Sequence, residues 1–259
     1  MKTADSYEHD VPLYAPCRQL AVSAPFRWLN KGWQDFRRAP LHSLTYGVIF
    51  ACFGWLLIYF SWSNANDFLV FGLLVGFLLV GPALAFGLYD ISQQLELKHK
   101  PTFRHERRKA FHEMGHELML ALLLSLVFLV LAIVMSMVMN IGATPEQSAV
   151  SAVVPISAAV SLSITFIFAG LFFCAMTFAL PMIVDRDVNA PMAIMTSLHA
   201  VWRNKSVIAL WALLVLGLTA VGFATALIGL VLIIPVLGYA TWHAYRETIM
   251  EVNKGMPTN

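Results

Sequence analysis

Residues His112, Glu113 and His116 stand as His-Glu-x-x-His. On a helix, positions i and i+4 share a face, so both imidazoles can reach one Zn²⁺ while Glu113 serves as base toward a metal-bound water. Tetrahedral zinc then needs a third protein ligand, and Asp185, at the end of a later apolar run, is the acid that could supply it. Lys109 and Glu117 flank the string with charge, which equally describes the solvated entrance of a helix. Met135, Met137 and Met139, with Cys174 and Met176, offer soft sulfur donors of the kind that suit Cu(I). Residue 137 points away from the face shared by 135 and 139, however, and methionine is ordinary filler in apolar helices, so packing is the reading for these. Cys17, Cys52 and Cys174 are too few and too scattered for a disulfide framework or a zinc knuckle.

The elements that must position these residues follow from composition. Of 259 residues, 59% are hydrophobic and 12% charged, and the mean hydropathy is +0.70. A soluble domain runs near half apolar and a quarter charged, so this is a membrane protein. Apolar runs place spans at about 41–62, 68–89, 118–139, 156–184, 207–222 and 226–245. The last two form a short hairpin whose turn is bracketed by Gly222 and Gly229. Residues 1–22 read as a flexible tail, 23–250 as one membrane domain and 251–259 as a second tail. Asp5, Glu8 and Asp10 precede any apolar core, so no cleavable signal peptide is expected. A net charge of +2 points to no nucleic-acid partner.

With six spans and the N-terminus inside, all 17 lysines and arginines fall on the cytoplasmic side. A five-span arrangement would put Arg246 and Lys254 outside, so both termini are expected in the cytoplasm. The six basic residues between 98 and 109 can also attract anionic headgroups. No ionisable residue stands at the middle of a predicted span, which argues against an ion-coupled carrier.

A weak threefold repeat runs through this layout. Ser23-Ala24-Pro25, Lys100-Pro101-Thr102 and Asn189-Ala190-Pro191 each resemble a helix start, with proline where the first turn tolerates it. Phe26, Leu29, Trp33 and Phe36 then recur at helical spacing, as do Ile194, Leu198 and Val201. Each such helix should lie at the membrane interface ahead of an apolar hairpin, whose second arm carries Pro82, Pro181 or Pro235. Gly72, Gly76, Ala83 and Gly87 line one side of the second span, where small residues allow close helix approach within the chain, in a homo-oligomer or against a partner helix.

At Trp28-Leu29-x-x-Gly32-Trp33-x-Asp35-Phe36, and from Pro235 through Tyr245-Arg246, the chain resembles a bacterial family of predicted integral membrane proteins, domain of unknown function 2189. That resemblance implies a six-span inner-membrane protein without assigned activity. Members are sometimes labelled as relatives of cytochrome c oxidase subunit I, which implies a respiratory association. Haem-copper chemistry needs histidines well inside the helices, whereas His42, His112, His116, His199 and His243 all lie near span ends. The His112-to-His116 string resembles the zinc motif of intramembrane site-2 proteases, although the Asn-Pro-Asp-Gly motif of that family is absent.

The expectation is therefore an all-α polytopic protein of the bacterial inner membrane. Its six transmembrane helices form three hairpins, each preceded by a cytoplasmic interfacial amphipathic helix. It reads as a non-enzymatic scaffold or accessory factor, needing no cofactor and associated with lipid or a larger respiratory complex. The alternative is a zinc-dependent intramembrane protease with Glu113 as its catalytic base and His112, His116 and Asp185 as metal ligands.

Overall fold

The computed structural model describes residues 14–63, 81, 84–99, 150–186 and 188–250. The described residues form seven helices. They are α1 (Ala24–Arg38), α2 (Pro40–Trp62), α3 (84–96), α4 (Val150–Asp185), α5 (Ala190–Arg203), α6 (Lys205–Ala224) and α7 (Leu230–Thr248). A single antiparallel bridge, Cys17 with Ile249, is the one extended pairing among them. Pro40–Phe60, Phe166–Asp185 and Lys205–Ala224 are long and apolar enough to cross a membrane. Of the span expected at 68–89, residues 84–89 are helical as the start of α3; the span expected at 118–139 lies outside the described residues.

Local chemistry sets the boundaries. Proline disfavours a helical conformation in the residue before it, and Ala39, ahead of Pro40, leaves the helix at φ −129° and ψ 57°, separating α1 from α2. Asn189 caps α5, its side chain accepting a hydrogen bond from the Met192 amide at 3.1 Å, with Pro191 in the first turn. Between α6 and α7 the chain turns at Thr225–Gly229, inside the predicted bracket. Ala226 and Leu227 take left-handed φ values of 52° and 68°, and the Thr225 hydroxyl donates to the Gly222 carbonyl and accepts from the Gly229 amide. One side chain thus closes a turn that would otherwise be penalised at two non-glycine residues.

Helix α7 is the element around which the others assemble, with α1 and α2 making the most extensive contacts to it. Pro235 lies inside α7 and has no N–H for the Val231 carbonyl four residues back. Gly47 of α2 meets α7 at that same carbonyl: a Cβ built on Gly47 would stand 2.0 Å from the Val231 oxygen. One turn further on, a Cβ on Gly32 of α1 would stand 2.6 Å from the Val236 oxygen. These two glycines let both helices rest on the α7 backbone. The Trp28 and Trp211 rings meet edge to face beside α7, with centroids 5.6 Å apart. Trp242, Tyr239, Tyr245 and Phe178 are the other fully buried aromatic side chains among the described residues.

Exposure is graded along the helices. Phe166, Ile167 and Leu171 of α4 are exposed, whereas Phe178, Ala179 and Met182, three turns on, are buried. Leu213, Leu216 and Phe223 of α6, and Trp55, Ile58 and Tyr59 of α2, are likewise exposed apolar groups. This is the surface a helix bundle presents to lipid.

The interfacial stripe predicted on α1 is divided in the structure. At about 100° per residue, Ala24, Pro25, Trp28, Gly32, Asp35 and Phe36 occupy one sector of about 120°, and all are buried. Phe26 and Trp33 are exposed in the adjoining sector, while Arg27, Lys31, Gln34 and Arg38 fill the third. Phe36 therefore belongs to the protein-facing side rather than to the exposed stripe, because its direction aligns with Gly32. Helix α5 repeats the scheme, hiding Ala193, Thr196, Ser197 and Ala200 and exposing Met195, Leu198 and Trp202.

Residues 14–20 differ from the flexible tail expected of them. The Ala15 amide donates to Thr196 Oγ1 at 3.1 Å, and the Leu20 amide donates to Asn204 Oδ1 at 2.9 Å. Arg18 N donates to the Thr248 carbonyl and Met250 N to the Pro16 carbonyl, both at 2.9 Å. Backbone bonds of this kind carry no compositional signal, which is why a polar, proline-containing stretch looked like tail.

Candidate functional site

The ends of α1, α3, α4 and α7 meet in a polar layer held together by three carboxylates. Asp35 of α1 is 3% exposed. Its Oδ2 accepts from Ser92 Oγ of α3 at 2.6 Å and lies 2.7 Å from His243 Nε2 of α7. Arg38 Nη1 stands 3.7 Å from the other oxygen. An ionised carboxylate taken out of water needs donors on both oxygens, and here three helices supply them.

Asp185 closes α4 in the same manner. Gln93 Nε2 donates to its Oδ1 at 3.0 Å, while the Tyr245 hydroxyl, at 2.7 Å, and Arg246 Nη1, at 3.3 Å, donate to Oδ2. Arg186 turns back to the Met250 carbonyl at 3.0 Å and places its guanidinium 5.6 Å from the Tyr245 ring centroid. The third carboxylate, Glu247, accepts from Trp28 Nε1 at 3.0 Å and pairs with Arg27. Glu96 adds an outer tie, accepting from Trp242 Nε1 at 3.2 Å and pairing with Arg246 at 3.4 Å.

Beside Asp35 opens a cavity of about 610 Å³, lined by Lys31, Asp35 and Arg38 of α1, Glu96, Lys98 and His99 from the end of α3, and His243 of α7. Lys98 ends α3 in a Schellman arrangement. Its own amide donates to the Leu95 carbonyl at 3.1 Å and the His99 amide to the Gln94 carbonyl at 2.9 Å. Its φ is 58°, where glycine or asparagine is usual.

Of the residues proposed from sequence as a metal centre, Asp185 is described and sits in the tie to α3 and α7 given above; His112, Glu113 and His116 lie outside the described residues, as do Met135, Met137 and Met139. Gly72, Gly76 and Ala83 also lie outside, and Gly87 is packed within the chain, where an added Cβ would come 2.1 Å from the Tyr46 hydroxyl. Cys17 is buried, and that burial pushes its thiol above the ordinary range, partly offset by Arg203. Cys174 lends its carbonyl to the Ser197 hydroxyl at 2.7 Å.

Sequence reasoning missed Asp35, Ser92, His243 and Glu247 as a constellation. One signal for Asp35 existed: it stands seven residues after Trp28, on the same side of α1 as Gly32, so an acid shares a face with a tryptophan and a glycine. Residues 69–185 match a family model described as "Predicted integral membrane protein (DUF2189)". This is the family that the sequence patterns resemble. The match ends at Asp185 of the polar layer and spans the central part of the chain. The Trp28-to-Phe36 and Pro235-to-Arg246 patterns that carry the resemblance lie outside the matched residues, one on either side. No curated protein and no solved structure matches the chain. The DUF2189 match and the apolar helices agree on an integral membrane protein.

Proposed function

We propose that this integral membrane protein is a non-enzymatic scaffold of the bacterial inner membrane, an accessory or assembly factor for a larger complex such as a respiratory one. It crosses the membrane six times, with both termini in the cytoplasm. The observation carrying this reading is the polar layer. Asp35, Asp185 and Glu247 each accept hydrogen bonds or ion pairs from other helices of the same chain, so the ionisable groups serve to hold helix ends in register. Such layers fix which faces a bundle shows to its surroundings, which is what a scaffold requires.

The six-span topology is supported by charge placement. Arg27, Arg38, Arg186 and Arg246 take part in the same polar layer, as expected if basic residues collect on one side. Cysteine-accessibility labelling should find position 146 reachable from the periplasm and positions 104 and 254 from the cytoplasm alone. A periplasmic position 254 would overturn this topology.

The second reading, a zinc protease, rests on His112-Glu113-x-x-His116 alone. Asp185, its proposed third ligand, already has Gln93, Tyr245 and Arg246 on its two oxygens. Recruiting it to a metal would break the tie between α4 and α7. Affinity purification from native membranes after brief cross-linking tests the scaffold reading. A membrane-protein partner at constant stoichiometry is expected, and a lone chain carrying proteolytic activity that Glu113→Gln abolishes would refute it.

A further inference from the structure

The geometry points to a binding site for a phosphate group in the cavity between α1 and the end of α3, gripped by Lys31, Lys98 and Arg38. This inference is independent of the scaffold reading, since it uses only the cavity and its lining.

Charge balance in the cavity is the first observation. Its two acids are already engaged: Asp35 by Ser92, His243 and Arg38, and Glu96 by Trp242 and Arg246, with Ser92, Trp242 and Arg246 reaching in from outside the lining. Among the described residues neither Lys31 nor Lys98 meets a carboxylate, and both are exposed at the lining, with His99 beside them. Two lysines lining one cavity, beside a guanidinium that reaches its own acid at only 3.7 Å, leave donors in excess of acceptors. An oxyanion with several acceptor oxygens satisfies that excess.

The second observation is the backbone of Lys98. A φ of 58° is unfavourable for any residue bearing a Cβ, and this position of the Schellman turn is where glycine costs nothing. Lysine is held there although the turn chemistry prefers another residue, and it is one of the residues that line the cavity. Strain retained where a charged side chain faces a cavity is the pattern of a ligand-binding position.

The phosphate could be carried on a soluble ester or on a lipid head. On α1 the lining residues Lys31 and Arg38 lie about 140° around the helix from the exposed Phe26 and Trp33 sector, measured between sector centres. If that sector rests on lipid, the cavity opens toward water.

The test uses the full chain in nanodiscs. In neutral phosphatidylcholine discs, inorganic phosphate and glycerol 3-phosphate are titrated calorimetrically; in parallel, discs containing phosphatidylglycerol are analysed by native mass spectrometry for retained lipid. Saturable binding in the first arm assigns a soluble phosphate, and retention confined to the second assigns a headgroup. In either case the Lys31→Gln/Lys98→Gln double variant should weaken binding at least tenfold, while Arg27→Gln, outside the cavity, should not. Lys98→Gly should lose binding yet melt at a higher temperature than the parent, a combination a merely structural lysine would not produce. Absence of binding in both arms, or binding indifferent to Lys31→Gln/Lys98→Gln, would overturn the proposal.

Discussion

Replacing Gly47 by alanine sets two known effects against each other at one atom. Alanine favours a helix over glycine by about 1 kcal/mol, so in an open position the change stabilises. At Gly47 the new methyl would stand 2.0 Å from the Val231 oxygen, 2.7 Å from its carbonyl carbon and 2.8 Å from its Cα. Ordinary contact begins at 3.4 Å, so the oxygen must retreat by about 1.4 Å. All three obstacles are backbone, and no rotamer change can relieve them. Helix α2 or α7 must move as a body, and overpacking of that kind costs about 1–3 kcal/mol. Because every obstacle is backbone, the cost falls in the upper part of that range, about 2–3 kcal/mol; less the helix gain of about 1 kcal/mol, the net expectation is a loss of about 1–2 kcal/mol, or a melting point lower by about 2–8 °C for a chain of this size. Thermal unfolding in detergent, followed by fluorescence of the buried tryptophans, reads the change. Gly217, with nothing within 4 Å of its built Cβ, is the control and should be neutral or stabilised on conversion to alanine. A Gly47→Ala protein melting at or above the parent would show that α2 does not rest on the Pro235-released carbonyl.

Other expectations follow from the polar layer and the segment that crosses it. Asp35→Ala strips Ser92 and His243 of their shared acceptor and should cost about 3 kcal/mol, measured by the same unfolding assay, with Asp35→Asn costing less because one acceptor oxygen survives. Glu247→Gln should be mild, because the amide oxygen can still accept from Trp28 and Arg27 is half-exposed; a loss above about 1.5 kcal/mol would mark this pair as far stronger than its exposure suggests. Cys17 should label slowly with maleimide at about pH 8 in the folded protein: its thiol titrates above the ordinary range, so less thiolate forms there, and labelling should accelerate with rising pH or on unfolding. Fast labelling of folded protein would mean that residues 14–20 leave the body in solution.

Much of the helix layout is legible from prolines and glycines. Pro25 and Pro191 mark helix starts, Pro235 falls inside the last helix, the second arm of its hairpin, and Gly222 with Gly229 brackets the turn, because each acts through its own backbone. The hidden side of α1 was less accessible. Phe26, Leu29, Trp33 and Phe36 look like one stripe because periodicity sorts apolar from polar, whereas Trp28, Gly32 and Asp35 are buried together by shape and hydrogen bonding. Asp35 and His243 are 208 residues apart, and nothing local to either announces the other. The anchored stretch from Ala15 to Leu20 shows the same limit, its partners being Thr196, Asn204 and the backbone at Thr248.

The scaffold account is tested most directly by the zinc content of the purified full-length protein, measured by inductively coupled plasma mass spectrometry after dialysis against a weak chelator. The account predicts zinc far below one ion per chain, unchanged by His116→Ala. About one zinc per chain, lost on His116→Ala and retained on Glu113→Gln, would contradict it and make His112 and His116 the ligands of a catalytic metal.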